Sequence, residues 1–280
     1  MEKSEERLKI LAKIDEFERA ERWDEDVEDD PETIELLPNE IDYLNKKISS
    51  KIKNKIANFL GTRFFEKLIK QGGLRIKEVR GIENFINIKD SGAIITCNHF
   101  NVADNYIVWH SIKPHMKKGF RRKNLYKVIR EGNYTASPPP FRVILRHCNT
   151  LPLSSNKETM RKFMRSVDTL LKRGEKILVY PEQGMWWNYR KPRPLKNGAF
   201  RFAVNAMKPV LPMFITMEDS DTIGPDGFPI QEHTLHIMPA IYPDPKLAKP
   251  ENINQMRDKN YELWVKTYEE FYKTPLQYLK

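Results

Sequence analysis

"GAIITCNHFNVADN", residues 92–105, runs from a glycine through four small or β-branched apolar residues into a polar turn. The apolar run reads as a strand buried on both faces. The turn places His99 five residues before Asp104, with Asn98 directly in front of the histidine. A carboxylate at that spacing can accept from one ring nitrogen and leave the other free to take a proton. The same two residues also fit an ordinary polar loop, and the pair alone does not separate the two readings.

Working outward, further strand patterns follow the same style. "LRIKEVRG" (74–81) alternates, and "LYKVIRE" (125–131), "KILVYPE" (176–182), "PVLPMFI" (209–215) and "LHIMPAIYP" (235–243) are strand-like apolar runs. Helical patterns at 103–113, 157–173 and 196–207 lie between them, and residues 250–273 give a last amphipathic helix. Strands alternating with helices predict an α/β fold with a largely parallel, twisted sheet flanked by helices. In that fold His99 falls past the carboxyl end of a central strand, where open sheets place their sites.

The chain has 280 residues, enough for one sizeable core. No apolar run approaches bilayer length, and "MEKSEERLKI" has no apolar signal core. Two distant cysteines, Cys97 and Cys148, suit a reducing cytoplasm. Charge is unevenly spread. Residues 1–43 hold seventeen acidic and six basic residues, a net of −11 that leaves +21 on residues 44–280. Three segments follow: an acidic arm (1–43), a basic amphipathic helical segment (44–72) and the main domain (73–280). The arm reads as a solubilising tail, with a cover over the basic body as the alternative. The body would attract nucleic acid or an anionic membrane surface. "WWNYRKPRP" mixes aromatic and basic residues, but no nucleic-acid recognition motif surrounds it.

Within the arm, residues 2–22 read as a charged helix carrying Leu8, Leu11 (or Ile10), Ile14 and Phe17 on one stripe, and the acidic run "DEDVEDDPETIE" then breaks it at Pro31. Residues 40–71 repeat an apolar residue every fourth position from Leu44 to Leu68, among Lys51, Lys53, Lys55, Arg63 and Lys67. That spacing winds the stripe about 40° per step, which predicts a break at Gly61 into two amphipathic pieces. Such a segment suits either packing on the domain or docking on a membrane surface.

The blocks "NHFNVAD", "VIREGNY…PPPFRVILRHCNTLPL", "YPEQGMW…PLKNGAFRFA" and "KPVLPMFI", in this order, resemble the glycerolipid acyltransferase superfamily typified by 1-acylglycerol-3-phosphate acyltransferase. The resemblance spans roughly residues 74–245, and the basic helical segment resembles the family's membrane-docking helices. It implies His99 as general base and Asp104 as its orienting acid. It implies substrate-binding roles for Asn98, Glu182, Gln183, Gly184 and Lys196. Two departures stand out. "LPLSSN" (151–156) lacks the family's second-block arginine, and "EQGMWW" (182–187) has Gln183 at the usual glycine and no phosphate-holding arginine. Arg190, Lys191 or Arg193, or Arg130, Arg142 or Arg146, are candidates to supply that charge. Alternatively the acceptor has no phosphate there, and Trp186, Trp187 and Tyr189 meet a sugar or an acyl chain.

The implied activity is acyl transfer from acyl carrier protein or coenzyme A to a lysolipid hydroxyl. Lysophosphatidic acid leads, followed by another lysophospholipid or a lyso-glycolipid. Backbone N–H groups near Glu182 are candidates for the oxyanion. The scheme calls for no cofactor or metal, and His110 and His115 complete no familiar ligand set with His99. Cys97 alternates with the strand and reads as a small buried apolar residue. The implied place is the cytoplasmic face of the membrane, held peripherally. The rivals are a lipid binder without catalysis and a nucleic-acid-binding module.

Overall fold

The computed structural model describes residues 2–28, 32–116, 123–139 and 141–280. Among these, the strands are β1 (Arg75–Arg80), β2 (Ala93–Thr96), β3 (Leu125–Ile129), β4 (Thr150–Pro152), β5 (Lys176–Val179), β6 (Val210–Ile223) and β7 (Pro229–Ile237). They form one sheet in the order β1-β7-β6-β2-β5-β3-β4. Every neighbouring pair is parallel except β6 and β7, which form an antiparallel hairpin.

The helices are α1 (Glu5–Arg19), α2 (Ile48–Lys70), α3 (Ile82–Ile88), α4 (Asp104–Ile112), α5 (Glu131–Thr135), α6 (Phe141–His147), α7 (Lys157–Lys172), α8 (Gly198–Ala206) and α9 (Lys249–Tyr272). The period-2 alternation of the central strands sorts the core into two layers. Ile94, Ile177, Val179 and Phe214 meet Phe163 and Leu170 of α7, Phe200 of α8 and Trp264 of α9. Ile95, Leu178, Leu211 and Ile215 face the other way, toward Phe85 of α3 and Ile107 and Ile112 of α4. A sheet covered on both faces explains why β2 and β5 are buried throughout. Asn156 starts α7 by accepting from the backbone N–H groups of Glu158 and Thr159, the usual work of an N-cap.

Three sequence expectations are corrected. "LHIMPAIYP" is a strand only to Ile237; beyond it a single antiparallel bridge joins Ile241 to Val210. The first helix ends at Arg19, and Pro31, read as its breaker, lies outside the described residues. No break occurs at Gly61, because α2 is continuous from Ile48 to Lys70. Gly61 is buried against α6, and the nearest atoms to an added Cβ would be Cys148 Sγ at 3.7 Å and Ile144 Cγ2 at 4.0 Å. A helical glycine costs about 1 kcal/mol relative to alanine, and those distances leave room for a methyl group, so Gly61 is tolerated here without being required by the packing. The small face of α2, Ala57 and Gly61, is the buried one. Ile48, Ile52, Ile56, Leu60 and Phe64 are left exposed.

The acidic arm is a cover and not a solubilising tail. Ile10, Ile14 and Phe17 of α1 pack with Trp186 and Trp187, while Leu36, Ile41 and Tyr43 enter the main core. The arm crosses the carboxyl edge of the sheet. Beyond β5 it touches the loop that follows Glu182: Glu25 O accepts from Trp186 Nε1 at 2.8 Å. Beyond β3 the backbone N–H of Leu36 donates to Glu131 at 2.7 Å, and beyond β4 Ser154 Oγ donates to Leu36 O at 3.0 Å.

Candidate active site

Adjacent parallel strands end on one edge, so the segments after β2 and β5 meet there. The first supplies Asn98, His99 and, at the start of α4, Asp104; the second supplies Tyr180 and Glu182. His99 Nδ1 lies 2.7 Å from Asp104 Oδ2. An ionised carboxylate only accepts hydrogen bonds, so Nδ1–H is the donor, and in the neutral form of the ring Nε2 then carries the lone pair. The same oxygen faces the backbone N–H groups of Phe100 (3.3 Å) and Asn101 (3.4 Å). Asp104 is fully buried, whereas the His99 side chain keeps 22% of its surface. A buried acid behind a partly open imidazole is the order that proton abstraction from a bound alcohol needs.

Tyr180 completes this pair. Its ring stacks on the imidazole, centroids 3.9 Å apart and planes within 13°, and its hydroxyl donates to Asp104 Oδ1 at 2.5 Å. Burial, with Asp104 beside it, pushes the phenol far above its usual range, so it stays a donor. The phenol thus holds the acid's second oxygen. Tyr180 was missed from the sequence because a tyrosine at a strand end carries no signal of its partner.

Glu182 is a bracket. Its Oε2 accepts from the backbone N–H of His99 (3.0 Å) and from Arg193 Nη2 (3.0 Å), and its Oε1 accepts from the backbone N–H of Arg193 (2.8 Å). Both side chains of the pair are essentially sealed from solvent. Arg193 also donates to the carbonyls of Trp23 and Gly184. Asn98 does similar work on β6, donating to Ile215 O at 3.0 Å and accepting from Ile215 N at 2.8 Å. Asn98 and Glu182 are both buried and bonded to the protein, an arrangement that holds the two loops in place.

The rest of the loop is packed against His99 and the arm. Trp186 N–H donates to His99 O at 3.1 Å, and Asn188 N–H to Phe100 O at 3.1 Å. Gly184 is required by close approach, since a Cβ there would stand 2.6 Å from Glu25 O. Gln183 is exposed and takes φ +68°, a conformation that favours glycine and costs other residues about 1–2 kcal/mol. The oxyanion candidates near Glu182 fail: the N–H groups of Gln183, Gly184 and Met185 already donate to Tyr180 O, Glu182 O and Asp26 Oδ1. Trp186 and Trp187 are buried against α1, which removes them as sugar-stacking surfaces. Burial, then the carboxylates of Asp104 and Glu182, raises the Cys97 thiol well above its usual range, so it is no nucleophile.

The cations proposed for anion binding are each paired or tied to backbone. Arg130 meets Asp26, Lys196 meets Asp24 at 3.1 Å, and Lys191 meets Glu18 at 2.6 Å. Arg190 turns away to Asp219 (2.6 Å) and Gln231 (3.1 Å) on the hairpin. Arg142 donates to Ser137 O, and Arg146 to Tyr134 O and Thr135 O.

The family model described as Acyltransferase matches residues 77–216, half of the chain. No curated protein matches the sequence. Among solved structures, the crystal structure of the 1-acyl-sn-glycerophosphate (LPA) acyltransferase PlsC from Thermotoga maritima is similar in fold. Its TM-score is 0.53 at 21% sequence identity, covering 84% of this chain and 87% of that one.

Proposed function

The chain belongs to the acyltransferase family, and from that membership we propose that it moves a fatty acyl group from a thioester to the free hydroxyl of a lysolipid at a membrane surface. The observation that carries this reading is the His99–Asp104 pair, 2.7 Å apart, with Nε2 left to accept a proton. His99 Nε2 takes the proton of the acceptor hydroxyl as that oxygen attacks the thioester carbonyl. The tetrahedral intermediate collapses, the carbon–sulfur bond breaks, and the leaving thiolate takes the proton back from the imidazolium. Ester and free thiol are the products. Asp104 holds the ring and stabilises its charged form. Tyr180 and the Glu182 bracket fix the two loops on either side.

Acyl carrier protein or coenzyme A supplies the donor. Sequence resemblance implies lysophosphatidic acid as acceptor, with phosphatidic acid as product. A second reading, a lysolipid without phosphate, is favoured by the pairing of Arg130, Lys191 and Lys196 with carboxylates. The test is transfer from a labelled acyl thioester to lysolipids in vesicles, following acylated lipid and free thiol together. Thiol release with free fatty acid and no acylated lipid would overturn the reading in favour of hydrolysis.

Membrane contact falls to α2. Its exposed stripe Ile48, Ile52, Ile56, Leu60 and Phe64 lies among Lys51, Lys53 and Lys55, the composition of an interfacial helix. Among the described residues no helix is long and apolar enough to cross a membrane. Phe65 stacks on Tyr106 of α4, centroids 4.5 Å apart, so a docked α2 lies beside the helix that Asp104 opens. The bound face is the cytoplasmic one, where anionic lipids attract lysines at about 1 kcal/mol each. Lys51→Glu, Lys53→Glu and Lys55→Glu together are expected to weaken binding to anionic vesicles by roughly a hundredfold or more. Sedimentation with vesicles measures this, and unchanged binding defeats the assignment to α2.

A further inference from the structure

Resting on the acyl-transfer reading, we propose that the acidic arm sets the acceptor class: a lysolipid whose headgroup is uncharged and hydroxyl-bearing, such as a monoacylglycerol or a lyso-glycolipid, and not a phosphate monoester. The arm lies on the carboxyl edge that also holds His99. Its Asp26 accepts from Met185 N–H at 2.6 Å and pairs with Arg130, which stands directly after β3. Met185 is followed by Trp186, whose N–H is bonded to the carbonyl of His99. One carboxylate of the arm therefore sits on the loop that touches the reacting segment, already holding a guanidinium.

Two further arm residues repeat the pattern on the same loop. Asp24 pairs with Lys196, and Glu18, itself buried, pairs with Lys191. Two loop cations remain: Arg193 is sealed against Glu182, and Arg190 turns away to Asp219 and Gln231 on the hairpin. A phosphate monoester brings about −1.5 to −2 charges. To be gripped here it would have to displace a carboxylate or stand beside one, and like charges placed side by side count against binding. Hydroxyl groups meet no such obstacle, since a carboxylate or amide oxygen accepts from them without change of charge. Exposed Asp24 and Gln183 offer such oxygens on this loop and its arm.

The arm is packed into the body on both sides of its acidic turn. Phe17 and Val27 are buried on either side of its acidic turn, and Trp23 stacks on buried Trp186 with centroids 5.9 Å apart. The packing thus keeps the arm's carboxylates beside these cations in the structure.

The experiment compares kcat/KM for three acceptors with one acyl chain: lysophosphatidic acid, monoacylglycerol and a monoacyl glucosylglycerol. The full chain is used with a labelled acyl thioester in neutral mixed micelles, so that bulk lipid charge is constant. The wild-type protein is expected to favour an uncharged acceptor over lysophosphatidic acid by about tenfold or more. Asp26→Asn removes one charge matched to Arg130 and is expected to raise the ratio of lysophosphatidic acid to monoacylglycerol about tenfold. Asp24→Asn, at an exposed pair that does not carry the fold, is expected to move the ratio in the same direction by a smaller factor. A wild-type preference for lysophosphatidic acid overturns the proposal, as does a ratio unmoved by both variants. A folded protein that acylates none of the three overturns the acyl-transfer reading itself, and this proposal falls with it.

Discussion

Replacing His99 with alanine is expected to lower acyl transfer by roughly 10²–10⁴-fold, the range that positioned general-base catalysis supplies. The imidazole is the group whose free nitrogen, by the tautomer argument, can accept the acceptor's proton. Among the described residues, neither of two neighbouring titratable side chains, Tyr180 and Cys97, substitutes for it. Tyr180 is held as a donor to Asp104, and Cys97 is buried with its thiol far above the usual range. The loss should fall on kcat, because the base acts in the transition state and contributes little to holding the acceptor. Asp104→Ala should lose activity as well, since the ring then has neither a fixed tautomer nor a counter-charge. Labelled-thioester assays on both variants, with circular dichroism and vesicle binding to confirm a folded protein, measure the effect. Activity within a few-fold of wild type in His99→Ala would remove the imidazole from the chemistry.

The second large effect is on stability. Arg193→Met leaves Glu182 buried with backbone N–H partners and no counter-charge. Breaking a buried ion pair from one side costs about 3–5 kcal/mol. Here the loss also frees the carbonyls of Gly184 and Trp23, so the loop and the arm loosen together. The double variant Glu182→Gln, Arg193→Met removes the stranded charge and is expected to recover part of the loss. Denaturant unfolding with linear extrapolation measures both. A single-variant cost below about 1 kcal/mol would mean that the pair does not hold the edge together. Rate and stability separate the two kinds of residue at this site: His99 should cost activity in a folded protein, and Arg193 should cost the fold.

How much of this could be read in advance differs from residue to residue. The strand, turn and helix from 92 to 112 were legible because a doubly covered parallel strand must be apolar without alternation, and its end must be polar. Five residues between His99 and Asp104 are enough for the contact because the turn leads straight into α4. Direction was not legible: the alternation of "LHI" in β7 marks a strand, but only the hairpin after β6 makes it antiparallel. The facing of α2 was hidden because an apolar stripe is ordinarily buried, while here the small residues Ala57 and Gly61 are the buried ones and the larger residues are left outside. Glu182 and Arg193 bond each other eleven residues apart in a loop with no period to announce it. The arm was least legible. Ile10, Ile14 and Phe17 make a narrow stripe in an acidic segment, and their partners Trp186 and Trp187 lie far along the chain.

That distance bears on how the protein is made. During synthesis the amino-terminal residues emerge first, yet α1 must wait for Trp186 and Trp187, and Glu18 for the N–H of Leu279. Until then Phe17 and Ile14 stay uncovered on the nascent chain, a stretch suited to chaperone capture. The edge that carries His99 therefore cannot close before that loop is made, and a ribosome-bound chain halted before residue 186 would hold the imidazole without the loop that seats it.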